Sequence, residues 1–299
     1  MGVFQQILQQ TLNGLSLGSI YALLALGYTM VYGIVNLINF AHGDILMLGA
    51  FVSYFVLKCL GVTPGTLTLS FFISMLFCAL VGILMEKTCY KPLRNAPRIN
   101  ALITAIGVSF FLENGARVIP IIGPNPRVFP TLPSVTYEVL GVGISRVQIL
   151  VFAVAIGLML ILNYIVNFTR IGKAMRAVSF DKGASYLMGI NVGQVISFTF
   201  ALGSALAAAA GILFASAYPQ VEPYMGIMPG LKAFVAAVLG GIGSIPGAML
   251  GGFIMGVAET LTKGFLSSQL ADAIAFGLLI IILVVKPAGI LGKAIGEKV

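Results

Sequence analysis

From Val147 to Asn167 the chain reads VQILVFAVAIGLMLILNYIVN, with no Asp, Glu, Lys or Arg. A helix rises about 1.5 Å per residue, so this run alone can cross the roughly 30 Å hydrocarbon layer of a bilayer. Seven other stretches read the same way, at about 14–34, 37–58, 66–86, 99–121, 195–217, 246–262 and 268–285. A further apolar run from Pro229 to Gly241 is too short for an ordinary straight span. Composition points the same way. Of 299 residues, 59% are hydrophobic and 9% charged, against roughly 25% charged in an ordinary soluble domain. So few charges cannot cover such a chain in water. The expected fold is all-α: a polytopic integral membrane helical bundle of about 8–9 spans, some short or broken, in a single domain over 1–299.

The same numbers exclude a soluble enzyme, a disordered chain and a disulfide scaffold. Cys59, Cys78 and Cys89 are an odd set without metal-ligand spacing. The net charge of +8 lies in short clusters between apolar runs, not on the solvated basic face that nucleic-acid binding needs. The first 57 residues lack Lys and Arg, so the basic start of a cleaved secretory signal is missing.

Orientation follows from the basic residues. Lys87, Lys91, Arg94 and Arg98 form one cluster, Arg170, Lys173, Arg176 and Lys182 a second, and Lys286, Lys293 and Lys298 close the chain. Short loops rich in Lys and Arg stay in the cytoplasm. That places the N-terminus outside, the C-terminus inside, and requires an odd number of crossings. A broken ninth crossing through 229–241 satisfies it; a re-entrant loop with one miscounted span is the alternative. Val3, Phe4, Ile7 and Leu8, interleaved with glutamines, suit a short helix lying in the outer interface. The external loop, about 122–146, overlaps a run with five prolines from Pro120 to Pro133 and reads as ordered, with little helix.

No catalytic constellation is visible. His42 is the only histidine, and the nine carboxylates are scattered over loops and span ends. No phosphate-cradling glycine loop precedes Lys173 or Lys293, so ATP-driven work would need another subunit. Three stretches are chemically unusual. Asn36-Leu37-Ile38-Asn39-Phe40-Ala41-His42-Gly43-Asp44 gathers amides, an imidazole and a carboxylate around one glycine in a chain with no other formal charge before Lys58. Polar groups inside a membrane must face protein or water, so this reads as a helix break lining a path, or else as a wet turn between spans. Tyr21 and Leu46 would line the same path with Phe40, and Asn39, His42 and backbone near Gly43 would meet a polar head group. Gly240-Gly241-Ile242-Gly243-Ser244-Ile245-Pro246-Gly247, followed by Gly251, Gly252 and Gly256, has the small-residue spacing of close helix packing. A hinge would use the same residues, with Pro246 breaking the helix. Gly14 and Gly18 repeat that spacing once and carry little by themselves. The internal loop, about 169–193, contains Arg170, Gly172, Lys173, Arg176, Asp181 and Gly189. It reads as two short helices, the second capped by Ser179 or Asp181 and stopped near Gly189, with Leu187, Met188 and Ile190 needing cover. Docking of a cytoplasmic protein and anchoring on lipid headgroups both fit.

Tyr21-Ala22-Leu23-Leu24-Ala25-Leu26-Gly27, Asn39-Phe40-Ala41-His42-Gly43-Asp44, Arg170-Ile171-Gly172-Lys173-Ala174-Met175-Arg176-Ala177 and Leu239-Gly240-Gly241-Ile242-Gly243-Ser244-Ile245-Pro246-Gly247-Ala248 resemble the LivH-type permeases of branched-chain amino acid ABC transporters. The resemblance spans essentially the whole chain. It implies a non-enzymatic subunit of an ABC importer in a bacterial inner membrane, carrying branched-chain amino acids. It implies a homologous second permease, two cytoplasmic ATPase subunits that hold ATP and Mg, and a periplasmic substrate-binding protein as partners. No cofactor on this chain is implied, and 170–191 would be the loop that couples to an ATPase. Urea or short amides are alternative substrates, and a stand-alone carrier or channel is the alternative class.

Overall fold

A computed structural model describes residues 2–35, 39–94, 96–133, 135–139 and 141–292. Asn36, Leu37 and Ile38 of the first motif, and Lys293 and Lys298 of the closing basic cluster, lie outside the described residues. The elements are α1 (Val3–Val35), α2 (His42–Leu60), α3 (Pro64–Met85), α4 (Arg98–Val118), β1 (Arg127–Val128), β2 (Thr136–Val139), β3 (Val142–Ser145), α5 (Arg146–Phe168), α6 (Arg170–Phe180), α7 (Lys182–Leu187), α8 (Val192–Ala217), β4 (Gln220–Val221), α9 (Ile227–Gly240), α10 (Ile245–Phe265) and α11 (Ser268–Val285). Among the described residues, eight helices are long and apolar enough to cross a membrane, and α9 is a shorter apolar helix.

A helix that is apolar all round has no preferred face and is buried. α1 behaves so: Ile20 and every residue from Ala22 to Leu26 are inaccessible. α8, α9 and α10 surround it. At the periphery α3, α4 and α11 expose Phe72, Phe111 and Val284, which a hydrocarbon solvent covers without penalty. The expected separate interfacial helix at the N-terminus is not there. α1 is one helix of 33 residues, because Gln9 finds partners of its own: its amide accepts from Gly143 N–H and donates to Gly143 C=O, both at 2.9 Å. The first turns are thereby held against β3.

Two glycine seams fix the centre. On α10, Gly252 and Gly256 abut α1 at Ala22 and Gly18, while Gly247 and Gly251 abut α9 at Gly240 and Ala236. Gly14 and Gly18, given little weight in the sequence, are the α1 half of the first seam. Pro246 breaks no helix; it stands in the first turn of α10, whose N-cap Ser244 accepts from Gly247 N–H at 3.2 Å. A proline there loses no helical hydrogen bond. Gly241, with φ +106°, turns the chain between α9 and α10.

The seams also count the crossings. Gly14 faces Thr260 and Gly33 faces Gly243, so α1 and α10 are antiparallel. The end of the bundle that holds the N-terminus also holds the loop between α4 and α5, whose β1 pairs with β4. At the opposite end Ile290 N–H donates to Leu239 C=O and Leu291 N–H to Gly240 C=O, each at 2.9 Å. Residues 220–240 therefore run from one end of the bundle to the other as an extended segment plus a short helix. This is the ninth passage.

Candidate functional site

α9 is short because Gly226 at its N-cap and Gly241 at its C-cap bound it, and its second turn brings Lys232 deep into the bundle. There the ammonium pairs with Glu259 of α10 and with Asp272 of α11, each at 2.7 Å. Lys263, one turn beyond Glu259 on α10, pairs with the same Glu259 oxygen at 2.6 Å. The other Glu259 oxygen accepts from Tyr21 of α1 at 2.8 Å. The seam at Gly256 and Gly18 makes this last contact possible by drawing α10 onto α1. Lys232 and Glu259 side chains are 6% and 2% exposed.

Tyr21, Lys232, Glu259 and Lys263 floor a cavity of about 390 Å³. Leu17, Phe214, Met225 and Met228 form its apolar wall, and Gln220, Glu222 and Tyr224 lie toward the bundle end that carries β4. Tyr218 and Lys263 separate it from a second cavity of about 370 Å³, bordered by Asn13, Gln148 and Thr260. Burial first, and Glu259 second, push the Tyr218 phenol above its ordinary range, which keeps it a neutral donor beside both cavities. Of the sequence-expected path residues, Tyr21 alone belongs here.

The others cluster around the start of α2. Gly43 packs backbone to backbone on Gly226 and Gly230, so the break before α2 meets the start of α9. A cavity of about 230 Å³ lies beside this crossing, bordered by Phe40, Gly43, Asp44, Ser109 and Glu113. Ser109 donates to Asp44 at 2.5 Å. Asn39, His42 and Leu46 are not among its walls. Asn39 accepts from Tyr90 at 2.7 Å. The His42 ring lies 4.7 Å from that of Tyr28, in space left by Gly27, and its Nε2 has no hydrogen-bond partner among the described residues. Leu46 is buried where Gly211 of α8 reaches its carbonyl. These residues shape the helix break; the cavity is lined by their neighbours.

The internal loop forms the two helices expected, α6 and α7. Thr169 caps α6 by accepting from Gly172 N–H at 3.1 Å, and Asp181 caps α7 by accepting from Ala184 N–H at 3.0 Å. Gly172, Met175 and Val178 are buried against the bundle, while Arg170 and Lys173 are exposed. Arg176 reaches back to Val166 C=O. After α7, Gly189 adopts φ +81°, and Leu187 and Met188 stand 85% and 82% exposed. Lys182 ties this loop to Val35 C=O at 3.4 Å.

Lys232, Lys263, Glu259 and Asp272 escaped the sequence reading as a group. The signal was there, since Lys232 interrupts the apolar run from Pro229 and Glu259 the span at 246–262. Intramembrane ionisable residues of opposite sign find one another, but nothing local says which pair.

Comparison with known proteins places this architecture. The chain is 43% identical to the high-affinity branched-chain amino acid transport system permease protein LivH of Escherichia coli K12, over 99% of each chain. It is 42% identical to the permease protein BraD of Pseudomonas aeruginosa over 98% of each. A probable LivH of Methanocaldococcus jannaschii is 30% identical over 92% of this chain and 89% of its own. The family model described as branched-chain amino acid transport system, permease component, matches residues 10–283. With nine passages among its described residues around a glycine-sealed centre and that match over nearly its whole length, the chain belongs to the family of branched-chain amino acid transport permeases.

Proposed function

We propose that the chain is a permease subunit of an ABC importer that moves branched-chain amino acids across a bacterial inner membrane. The observation that carries this is the full-length likeness to the LivH and BraD permeases. Among the described basic residues, Lys182 reaches Val35 C=O and Lys286 reaches Ile290 C=O at the bundle end opposite the N-terminus, which supports an external N-terminus under the positive-inside rule. In this reading the chain pairs with a homologous permease, receives substrate from a periplasmic binding protein, and is driven by two ATPase subunits that bind ATP and Mg. Substrate passes the outer cavity at Tyr21, then the break at Phe40, Gly43 and Asp44. Reconstitution of the four kinds of subunit in proteoliposomes should give leucine and valine uptake only with ATP. Uptake by this chain alone would make it a stand-alone carrier, and uptake of urea or short amides in place of leucine would reassign the substrate.

α6 and α7 are proposed to seat on an ATPase. α6 turns Gly172, Met175 and Val178 into the bundle and Arg170 and Lys173 out, beside the exposed Leu187 and Met188. Arg170→Glu with Lys173→Glu leaves the Arg176 contact to Val166 intact. Co-purified ATPase should fall to background while the permease pair still inserts. Full recovery of the ATPases with the double variant would move the docking surface elsewhere.

A further inference from the structure

We propose that the cavity floored by Tyr21, Lys232 and Glu259 is a transient binding site for the zwitterionic head group of the transported amino acid; the proposal rests on the importer reading above. Stability alone gives little reason for charges in this place, because a buried ion pair is often no better than apolar side chains of the same size. Ionisable groups inside membrane segments more commonly mark the route of a substrate. Here they sit at the bottom of a cavity, not within closed packing.

Donor and acceptor capacity remains for a ligand. An ammonium has three donors, and the pairs to Glu259 and Asp272 take two of those on Lys232. Lys263 pairs with Glu259 from a side chain 41% exposed. The Glu259 oxygen that accepts from Tyr21 has a second lone pair. A carboxylate can therefore bind the lysines while an ammonium binds Glu259. The charges select against simple ions: two lysines, Lys232 and Lys263, and two glutamates, Glu259 and Glu222, border the cavity. The floor is already neutral, and a ligand with no net charge leaves it so. Next to this floor, Leu17, Phe214, Met225 and Met228 offer the apolar contact that a branched side chain needs. The volume of about 390 Å³ lies at the small end of ligand pockets, about 300–1,000 Å³, as suits a single amino acid.

Accessibility at Met228 tests this without touching the charges, since Met228 is 39% exposed and borders the cavity. In the assembled transporter, with Cys59, Cys78 and Cys89 replaced by serine or alanine, Met228→Cys should react with a small, membrane-impermeant methanethiosulfonate. Leucine should slow that reaction. Leucinamide lacks the carboxylate and 4-methylpentanoate lacks the ammonium, so each should need about tenfold or more concentration for equal protection, the loss of one charge-assisted contact. Adding Glu259→Gln should abolish the preference for leucine over 4-methylpentanoate. Equal protection by all three compounds, or none by leucine while ATP-driven leucine uptake persists, would overturn the site. Absence of that uptake from the unmodified transporter would instead overturn the importer reading, and this site with it.

Discussion

Gly256→Ala should unseat α1 from α10 and leave a protein that melts at markedly lower temperature in detergent. A methyl group at 256 would lie under 3.0 Å from the Cα and N of Gly18 and from the carbonyl of Gly14. All three are backbone atoms, and no rotamer change relieves the clash. The helices must move apart, and α1 is the centre of the fold, so its buried run from Ala22 to Leu26 loses contact together with the seam. Overpacking a tight core costs roughly 1–3 kcal/mol, and the gain from replacing a helical glycine, about 0.5–1 kcal/mol, offsets only part of it. Gly252→Ala meets Ala22 in the same way, at 2.5 Å from its N and Cα, and the double variant should fail to accumulate. Gly107→Ala, Gly115→Ala and Gly157→Ala provide the comparison: each lies in a helix with nothing within 4 Å of a new methyl group. These three should be neutral or stabilising by up to about 1 kcal/mol. Melting temperatures that put Gly256→Ala among them would show that the seam does not hold the two helices.

That contrast also shows what the sequence could and could not disclose. The spans were legible because lipid demands a run of apolar residues whatever lies beside it, and Val147 to Asn167 needs no neighbour to be read. A ninth passage was the simpler of two readings by parity, from where Lys87, Arg170 and their companions fall, a re-entrant loop being the other. The two short helices of the internal loop were legible from local capping, with Asp181 at the start of α7 and Gly189 beyond its end. Pairings across the fold were not. Gly14 and Gly18 look idle until α10 is known to lie on them, because spacing states that a helix can be approached and is silent about what approaches. Asn39 and His42 are polar and near the helix break, which made them candidates for substrate contact. Yet Tyr90 and Tyr28, distant in sequence, occupy their faces. Lys232 and Glu259 are separated by 27 residues and by the turn at Gly241; one sequence records each charge and not their meeting.

Glu259→Gln should be the most damaging single change within the charged group, more so than Lys232→Met. The reason is connectivity. Glu259 receives three donors, from Lys232, Lys263 and Tyr21. Removing its charge while keeping its shape leaves two ammoniums with Asp272 as their remaining carboxylate in the group, one of them on a side chain only 6% exposed. Breaking a buried pair by removing one partner costs about 3–5 kcal/mol. The low end applies here, because Asp272 and Lys263 side chains are 44% and 41% exposed and water can approach them. Lys232→Met leaves Glu259 with Lys263 and Tyr21, and releases Asp272 to solvent. Its expected loss is about 1.5–2 kcal/mol, the low end of the roughly 1.5–3 kcal/mol of a hydrogen bond to a charged group. Combining the two changes should cost less than their sum, since the methionine no longer requires a counter-charge, and neighbours in one network are expected to couple by about 0.5–3 kcal/mol. Thermal unfolding of the four proteins in one detergent gives the cycle directly. Additive losses, or a Lys232→Met variant weaker than Glu259→Gln, would mean that Glu259 is not the hub on which α1, α9, α10 and α11 converge.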